Sequence, residues 1–269
     1  MQYDPIKKTL DRFFSGSLFR KKLFFLLLDL LLLRTWHVKR ALRKLGHSLP
    51  ENAKILDAGA GFGQYSWHMS RINSNWKIKA VDIDKEHIKS CSRFFEEAGL
   101  TERITCEQCD LTRMRESDEY DLILSVDVME HIEEDELVFR NFCRALKNNG
   151  IVLISTPSDR GGSDVHSDHG QSFIDEHVRD GYGTDEISIK LQNAGFRNVQ
   201  TAYTYGKPGQ ISWMLSMKIP VILLGISKLL FILLPLYYLI IFPVSLILNT
   251  FDVNMTHNSG TGLLVTAKR

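Results

Sequence analysis

Cysteine is scarce in this sequence: Cys91, Cys106, Cys109 and Cys143 are the only four among 269 residues. Thiols so few and scattered make no disulfide framework, which suits a reducing compartment. Cys106 and Cys109 have CxxC spacing, but no second pair completes a zinc site. Both fall in an expected strand, where residues three apart point to opposite faces, so the thiols read as buried and structural. Net charge is nearly absent as well, at +1. That total hides an asymmetry. Residues 1–46 carry eleven Lys/Arg against Asp4, Asp11 and Asp29, a balance of +8 that leaves −7 for the remainder. An acidic body argues against a nucleic-acid groove, while a basic, partly apolar arm suits an anionic membrane surface. Neither internal repeat nor low-complexity linker is present. No secretory leader is read at the N-terminus either. The apolar run Leu23–Leu33 is interrupted by Asp29, lacks a small-residue cleavage site and is too short to span a bilayer.

What is present falls into zones. Residues 1–49 read as a helical arm, with helices over Lys7–Phe14 and Arg20–Leu45 separated by Ser15-Gly16-Ser17. Residues 50–210 alternate short apolar runs with amphipathic ones, as a parallel sheet covered by helices requires. Strands are expected at Lys54–Ala58, Lys77–Asp82, Ile104–Cys109, Tyr120–Val126, Ile151–Thr156 and Val199–Tyr205. Helices are expected at Gln64–Ile72, Lys85–Ala98, Glu134–Leu146 and Asp185–Ala194, two of them closed by Gly99 and Gly195. Residues 211–250 form an apolar insertion whose only charge between Ile219 and Leu248 is Lys228, with Pro235 and Pro243 as interruptions. Residues 251–269 return to a strand pattern at Gly262–Lys268.

The chemistry begins at Ile55-Leu56-Asp57-Ala58-Gly59-Ala60-Gly61-Phe62-Gly63, a buried strand entering a glycine loop. Glycines there let the backbone turn and approach a ligand where any Cβ would collide. A dinucleotide loop would have its third glycine at position 64, which is Gln. Asp57 ahead of the first glycine would repel a pyrophosphate but attract a cationic amino-acid moiety. Its plain alternative is to cap the following helix. The next strand ends in Val81-Asp82-Ile83-Asp84, where Asp82 is placed to accept from both hydroxyls of a ribose. Cys109-Asp110-Leu111 ends the third strand, with Asp110 able to take an adenine amino group and Leu111 to pack beside the ring. Ile83, and Ser125 near the end of the fourth strand, complete the set. All lie on the carboxyl edge of one sheet, where open α/β folds bind ligands.

On these residues the chain resembles the class I S-adenosylmethionine-dependent methyltransferases, and within them the ubiquinone-biosynthesis O-methyltransferase group. The Asp-x-Gly-x-Gly-x-Gly loop, Asp82, Asp110-Leu111, Val128-Met129-Glu130-His131 and Leu146-Lys147-Asn148-Asn149-Gly150-Ile151 match in order and spacing. The resemblance implies a Rossmann-like seven-stranded sheet with an antiparallel last strand, here Gly262–Lys268, slotted between the fifth and sixth. It also implies S-adenosylmethionine as cofactor.

Methyl transfer from a sulfonium is governed by positioning, and a hydroxyl acceptor gains from a base. His131 is the first candidate, followed by His166, His169 and His177 in the stretch 158–183, which reads as an active-site lid. His166 and His169 with their neighbouring aspartates, or Glu130 with His131, offer weak metal patterns, and no metal is assigned. His177-Val178-Arg179 resembles a family stretch and favours substrate positioning or packing.

The last expectation concerns partners. Leu229–Leu248 is long enough to cross a bilayer, but pairing of Gly262–Lys268 with Val199–Tyr205 would return both ends to one side. A helical hairpin broken near Pro235, or an interfacial helix pair with Trp213, Tyr237 and Tyr238 at the headgroups, remains. The expected protein is a monotopic or peripheral enzyme on the cytoplasmic face of a membrane, methylating a lipophilic small molecule, most simply at oxygen. The rivals are N- or C-methylation, a homodimer interface or lid made by the insertion, and a non-catalytic membrane scaffold.

Overall fold

The chain alternates strand and helix because its apolar period alternates between two residues and roughly three and a half. The computed structural model describes residues 17–161, 178–226 and 232–269. Two helices, α1 (Leu18–Leu31) and α2 (Leu33–Gly46), precede the sheet. Then follow β1 (Lys54–Ala58), α3 (Gln64–Ile72), β2 (Lys77–Asp82), α4 (Lys85–Glu97), β3 (Ile104–Gln108), β4 (Tyr120–Val126), α5 (Asp135–Ala145) and β5 (Leu146–Pro157). The second half contains α6 (Thr184–Asn193), β6 (Arg197–Thr204), α7 (Lys207–Trp213), α8 (Ile219–Ile226), α9 (Leu234–Asn254) and β7 (Gly262–Lys268).

The seven strands form one sheet in the order β3-β2-β1-β4-β5-β7-β6. β7 runs antiparallel to both β5 and β6, while β1 to β5 are mutually parallel. The last strand therefore lies where the resemblance implies. Alternation along each strand feeds two cores. Ile55 and Leu122 join one cluster with Phe25, Val38, Met69 and Phe95 from α1 to α4. Leu56 and Ile123 join the other with Phe139, Phe142, Ile187 and Leu191 from α5 and α6. The result is a three-layer α/β/α body, and its strand order reverses between β1 and β4, where such sheets open a crevice.

Several expectations change. The single helix read over Arg20–Leu45 is two, because Leu32 is extended (φ −95°, ψ 106°). An unbroken helix of that length would run about 39 Å, too long for one face of the sheet. Bent, it buries Phe24 and Phe25 from α1 and Val38 and Leu42 from α2 in one cluster. Residues 18–46 thus pack on the body; the expected helix at Lys7–Phe14 lies outside the described residues. β3 stops at Gln108, so Cys109 is not in the strand. Cys106 Sγ lies 3.4 Å from Cys91 Sγ, and all four cysteines are free thiols.

Helices α8 and α9 divide the insertion, and the second begins at Leu234, so the helical break falls near Pro235 as expected. Pro235 sits in the first turn of α9, where a missing N–H costs nothing, and Pro243 lies inside a continuous helix. Between α7 and α8, a π-turn at Met214–Lys218 disturbs the regular hydrogen bonds. The Tyr237 and Tyr238 hydroxyls donate to the Leu215 and Ser216 carbonyls there, each at 2.7 Å, so they tie the helices together. The two faces of α9 are inverted relative to a soluble protein. Ser245, Asn249 and Asp252 are its buried residues, whereas Leu239 and Ile240 are 72% and 65% exposed.

Candidate functional site

β1 delivers Asp57 to the sheet edge but turns its carboxylate inward. The Ser66 hydroxyl donates to Asp57 Oδ2 at 2.6 Å. Ser66 stands at the third position of α3, whose N-cap residue, Gly63, has no side chain to cap with. Asp57 supplies that cap, so the plain alternative is realised in the structure. Burial pushes its carboxyl up to about 6; bonds from Ser66 pull the other way, and the Asp82 charge adds to the rise.

The glycines divide the work. Gly59 has φ +79°, and a Cβ there would fall 2.1 Å from Val128 Cγ2. Gly63 has φ +84° and presses against Cys91 and Phe95. Gly61 has φ +52°, yet a Cβ there would meet nothing within 4 Å. The first and third glycines are needed by the protein's own packing. The middle one faces open space.

Asp82 closes the other side of that space. Its Oδ2 accepts from Gly61 N at 2.8 Å and its Oδ1 from Asp84 N at 2.8 Å, with His87 Nδ1 at 3.6 Å. Burial opposes ionisation, but these donors outweigh it and hold the carboxyl below its ordinary range. Ile83, next along, is 69% exposed, an apolar platform at the sheet edge. Asp110 caps a short turn, accepting from Thr112 N at 3.0 Å and Thr112 Oγ1 at 2.7 Å, which lowers its carboxyl despite slight burial. Leu111 is buried in the core cluster with Met114 and Phe142, and the Asn141 amide holds its carbonyl at 2.9 Å. Its side chain therefore belongs chiefly to the core.

Ser125, paired in register with Ala58, is fully buried, and its hydroxyl has no partner among the described residues. Open space over Gly61, an ionised Asp82, exposed Ile83 and this orphan hydroxyl are what a nucleoside-bearing cofactor with a cationic tail would fit.

His131 ends a turn at Met129–His131 and is exposed, with its N–H bonded to the Val128 carbonyl at 3.0 Å. Glu130 beside it is buried and accepts from Thr156 Oγ1 at 3.2 Å. Burial raises its carboxyl, against its hydrogen bonds and the charges of His131 and Arg34. His166, His169 and His177 lie outside the described residues. The chain re-enters at Val178, whose N–H donates to the Glu130 carbonyl at 3.1 Å. Arg179 is spent on packing. It pairs with Asp135 and bonds Tyr182 and the Ile132 and Glu133 carbonyls. Among the described residues no group of three or more His, Cys, Asp or Glu is arranged to hold a metal ion.

Sequence reasoning missed the cover over this edge. Arg34 of α2 pairs with Asp127, which follows β4 with φ +51°. Gln64, noted above only for displacing a glycine, donates to Asp29 Oδ1 at 2.7 Å. Thr35 Oγ1 lies 3.4 Å from Tyr65 Oη. No local signal marks this cover: the positive φ of Asp127 is a property of the folded backbone, and its partner Arg34 is distant in sequence.

A family model described as a methyltransferase domain matches residues 49–194. A phosphoethanolamine N-methyltransferase of Triticum aestivum is 31% identical over 153 residues, 56% of this chain and 29% of that protein. A ubiquinone biosynthesis O-methyltransferase of Xanthomonas axonopodis pv. citri is 22% identical over 155 residues, 55% of this chain and 64% of that protein. The chain thus spans less than two thirds of the curated relatives it matches. Among solved structures, Haemonchus contortus phosphoethanolamine N-methyltransferase 2, in complex with phosphomonomethylethanolamine and S-adenosylhomocysteine, superposes with a TM-score of 0.58 at 17% identity, covering 87% of this chain and 53% of that one. An S-adenosylmethionine-dependent methyltransferase from Mesorhizobium loti gives 0.51 at 18% identity, covering 88% and 98%. At such identities the likeness concerns the fold.

Proposed function

Since the chain belongs to the class I S-adenosylmethionine-dependent methyltransferases, we propose that it methylates the oxygen of a lipophilic acceptor at a membrane surface. Bound S-adenosylmethionine supplies an electrophilic methyl carbon on a sulfonium. The chain's residues bind and orient. In this reading Asp82 accepts from the ribose hydroxyls, Ile83 and the edge of Leu111 flank the base, and Asp110 takes its amino group. Gly59, Gly61 and Gly63 let the backbone pass close to the amino-acid moiety, while Asp57 sets the loop and lends its negative charge. Ser125 offers a hydroxyl at the crevice floor. His131 takes the acceptor's proton as the new C–O bond forms and the C–S bond breaks, with His166, His169 and His177 as the further candidates.

One observation supports the membrane setting: α9 turns its polar residues inward and its apolar ones outward. It is also apolar enough to enter a bilayer, with mean hydropathy 1.8 and only 11% of that stretch buried. β6 and β7 bracket it in one sheet, so the insertion leaves and returns on one side, as a monotopic anchor would. An anionic cytoplasmic leaflet suits the basic N-terminal segment. The zones 1–49, 50–210, 211–250 and 251–269 then act as cover, catalytic body, anchor and closing strand. A second reading, N-methylation, is favoured by the likeness to phosphoethanolamine N-methyltransferases.

The test incubates full-length protein with methyl-labelled S-adenosylmethionine and a total lipid extract. Label is expected in the organic phase, on an oxygen. Label on nitrogen would select the second reading, and label confined to water-soluble products would sink a lipophilic acceptor. Binding of S-adenosylhomocysteine without any transfer would leave a scaffold.

A further inference from the structure

A cleft of about 530 Å³ lies between α2 and the C-terminal end of α9. Trp36, Lys39, Arg40 and Arg43 line one wall, and Val253 and Asn254 the other. Three cations converge there against one carboxylate, Asp29. Lys39 pairs with that carboxylate. Arg40 bonds the Val253 carbonyl and Asn254 Oδ1, so it fastens the two walls together. Arg43 donates to the Lys39 carbonyl at 3.3 Å and has no carboxylate partner among the described residues. Positive potential reaches well into the body behind the cleft. His68 of α3 is pushed down to about 3, first by burial and then by the charges of Lys39, Arg43 and Arg71. The Trp36 indole N–H is shut off from water with no partner among the described residues, and would donate to an ester or phosphate oxygen.

A cluster of surface cations is ordinarily just a solvated face. Position argues otherwise here. The cleft's Val253 and Asn254 lie between Phe251 and Met255 in the chain, both exposed apolar side chains. The basic site and the outward apolar face of α9 are therefore contiguous, with an indole at their junction. This is the order of chemistries met on passing from the headgroups of a bilayer to its acyl chains.

We propose that this cleft seats the phosphate of an anionic phospholipid headgroup while the outer face of α9 rests among the acyl chains. The proposal rests on the membrane reading above and adds to it a specific site and a lipid class. Arg43 and Lys39 supply the charge, and Arg40 keeps the walls in place. Such a seat would also orient the body, because α2, which carries three of the cations, lies over the cofactor edge through Arg34 and Thr35.

The experiment is co-sedimentation of the full-length protein with phosphatidylcholine vesicles and with phosphatidylcholine–phosphatidylglycerol vesicles. Binding is expected to be stronger to the mixed vesicles, and Lys39→Gln with Arg43→Gln should weaken that binding about thirtyfold, from roughly two lost surface contacts. Arg43→Glu alone should do the same, which guards against a fold defect from the double variant. Unchanged melting and S-adenosylhomocysteine binding show that either variant is intact. Equal binding to both vesicle types, or variants that keep the preference, would overturn the headgroup site and leave the membrane reading standing. Calorimetric binding of inorganic phosphate that Arg43→Glu abolishes, together with no preference for the mixed vesicles, would overturn the lipid assignment in favour of free phosphate. Failure to bind any vesicle would remove the membrane reading itself.

Discussion

His37 Nε2 lies 2.8 Å from Asp252 Oδ1, a buried pair that joins α2 to α9 across 215 positions of sequence. Gly209 N donates to the other oxygen at 2.9 Å, and His257 Nε2 lies 3.4 Å from it. One carboxylate thus gathers the segment before the sheet, both ends of the insertion and the approach to β7. His37→Ala leaves that buried carboxylate short of one donor, which is expected to cost about 1.5–3 kcal/mol. Denaturant unfolding in detergent measures it; a change under about 0.5 kcal/mol would mean the pair holds nothing together.

Gly59→Ala and Gly61→Ala should behave differently despite being two residues apart. At Gly59 the new methyl collides with Val128, so overpacking of about 1–3 kcal/mol adds to the backbone strain. At Gly61 only the positive φ opposes the change, about 1–2 kcal/mol, while the methyl projects into open space. Gly61→Ala is expected to keep the fold and lose S-adenosylhomocysteine affinity by calorimetry. Full affinity in that variant would show that the space over Gly61 is not where the cofactor lies.

The Asp57 carboxyl titrates at about 6 in the folded protein against 3.8 in the unfolded chain. Between those values the folded state holds the extra proton, so this group's contribution to stability declines as pH rises from about 4 to about 6. Complete, the loss is on the order of 3 kcal/mol. Asp57→Asn, which keeps an acceptor for the Ser66 hydroxyl, should flatten that decline. Parallel stability–pH curves for the two proteins would refute the assignment.

His131→Ala is expected to lower kcat about 100-fold or more, the usual contribution of a positioned base, with S-adenosylhomocysteine affinity unchanged. Normal turnover would pass the role to His166, His169 or His177.

Leu239→Glu and Ile240→Glu alter the most outward part of α9 and touch no core. Melting should move little, since changes at exposed positions usually stay within about 0.5 kcal/mol, while recovery in the membrane pellet should collapse. A pelleting protein whose monomer–dimer equilibrium shifts instead would identify that face as a homodimer interface.

The strands at Lys54–Ala58, Lys77–Asp82 and Tyr120–Val126 and the helix at Gln64–Ile72 were legible to the residue, because short apolar runs beside glycine or acid have few other solutions. So was the alignment of Asp57, Asp82, Asp110 and Ser125 on one sheet edge, since parallel strands all present their carboxyl ends together. Less legible was what each group does there. Ser66 binding to Asp57 depends on where α3 begins relative to β1, and Leu111 turns inward because of the packing of Met114 and Phe142.

The antiparallel last strand was implied by the family resemblance; by itself the sequence determined the α/β body and the chemistry of the glycine loop. These follow from local periodicity and from glycines that only particular backbone angles demand. Tertiary structure alone decided that α1 and α2 fold over the cofactor edge, that Leu32 bends them, and that α9 shows its apolar face to the outside. Each of these depends on pairs such as Arg34–Asp127 and His37–Asp252, whose partners are distant in sequence. Their energy arises from burial and charge at contact, and nothing in the local pattern of either segment encodes it.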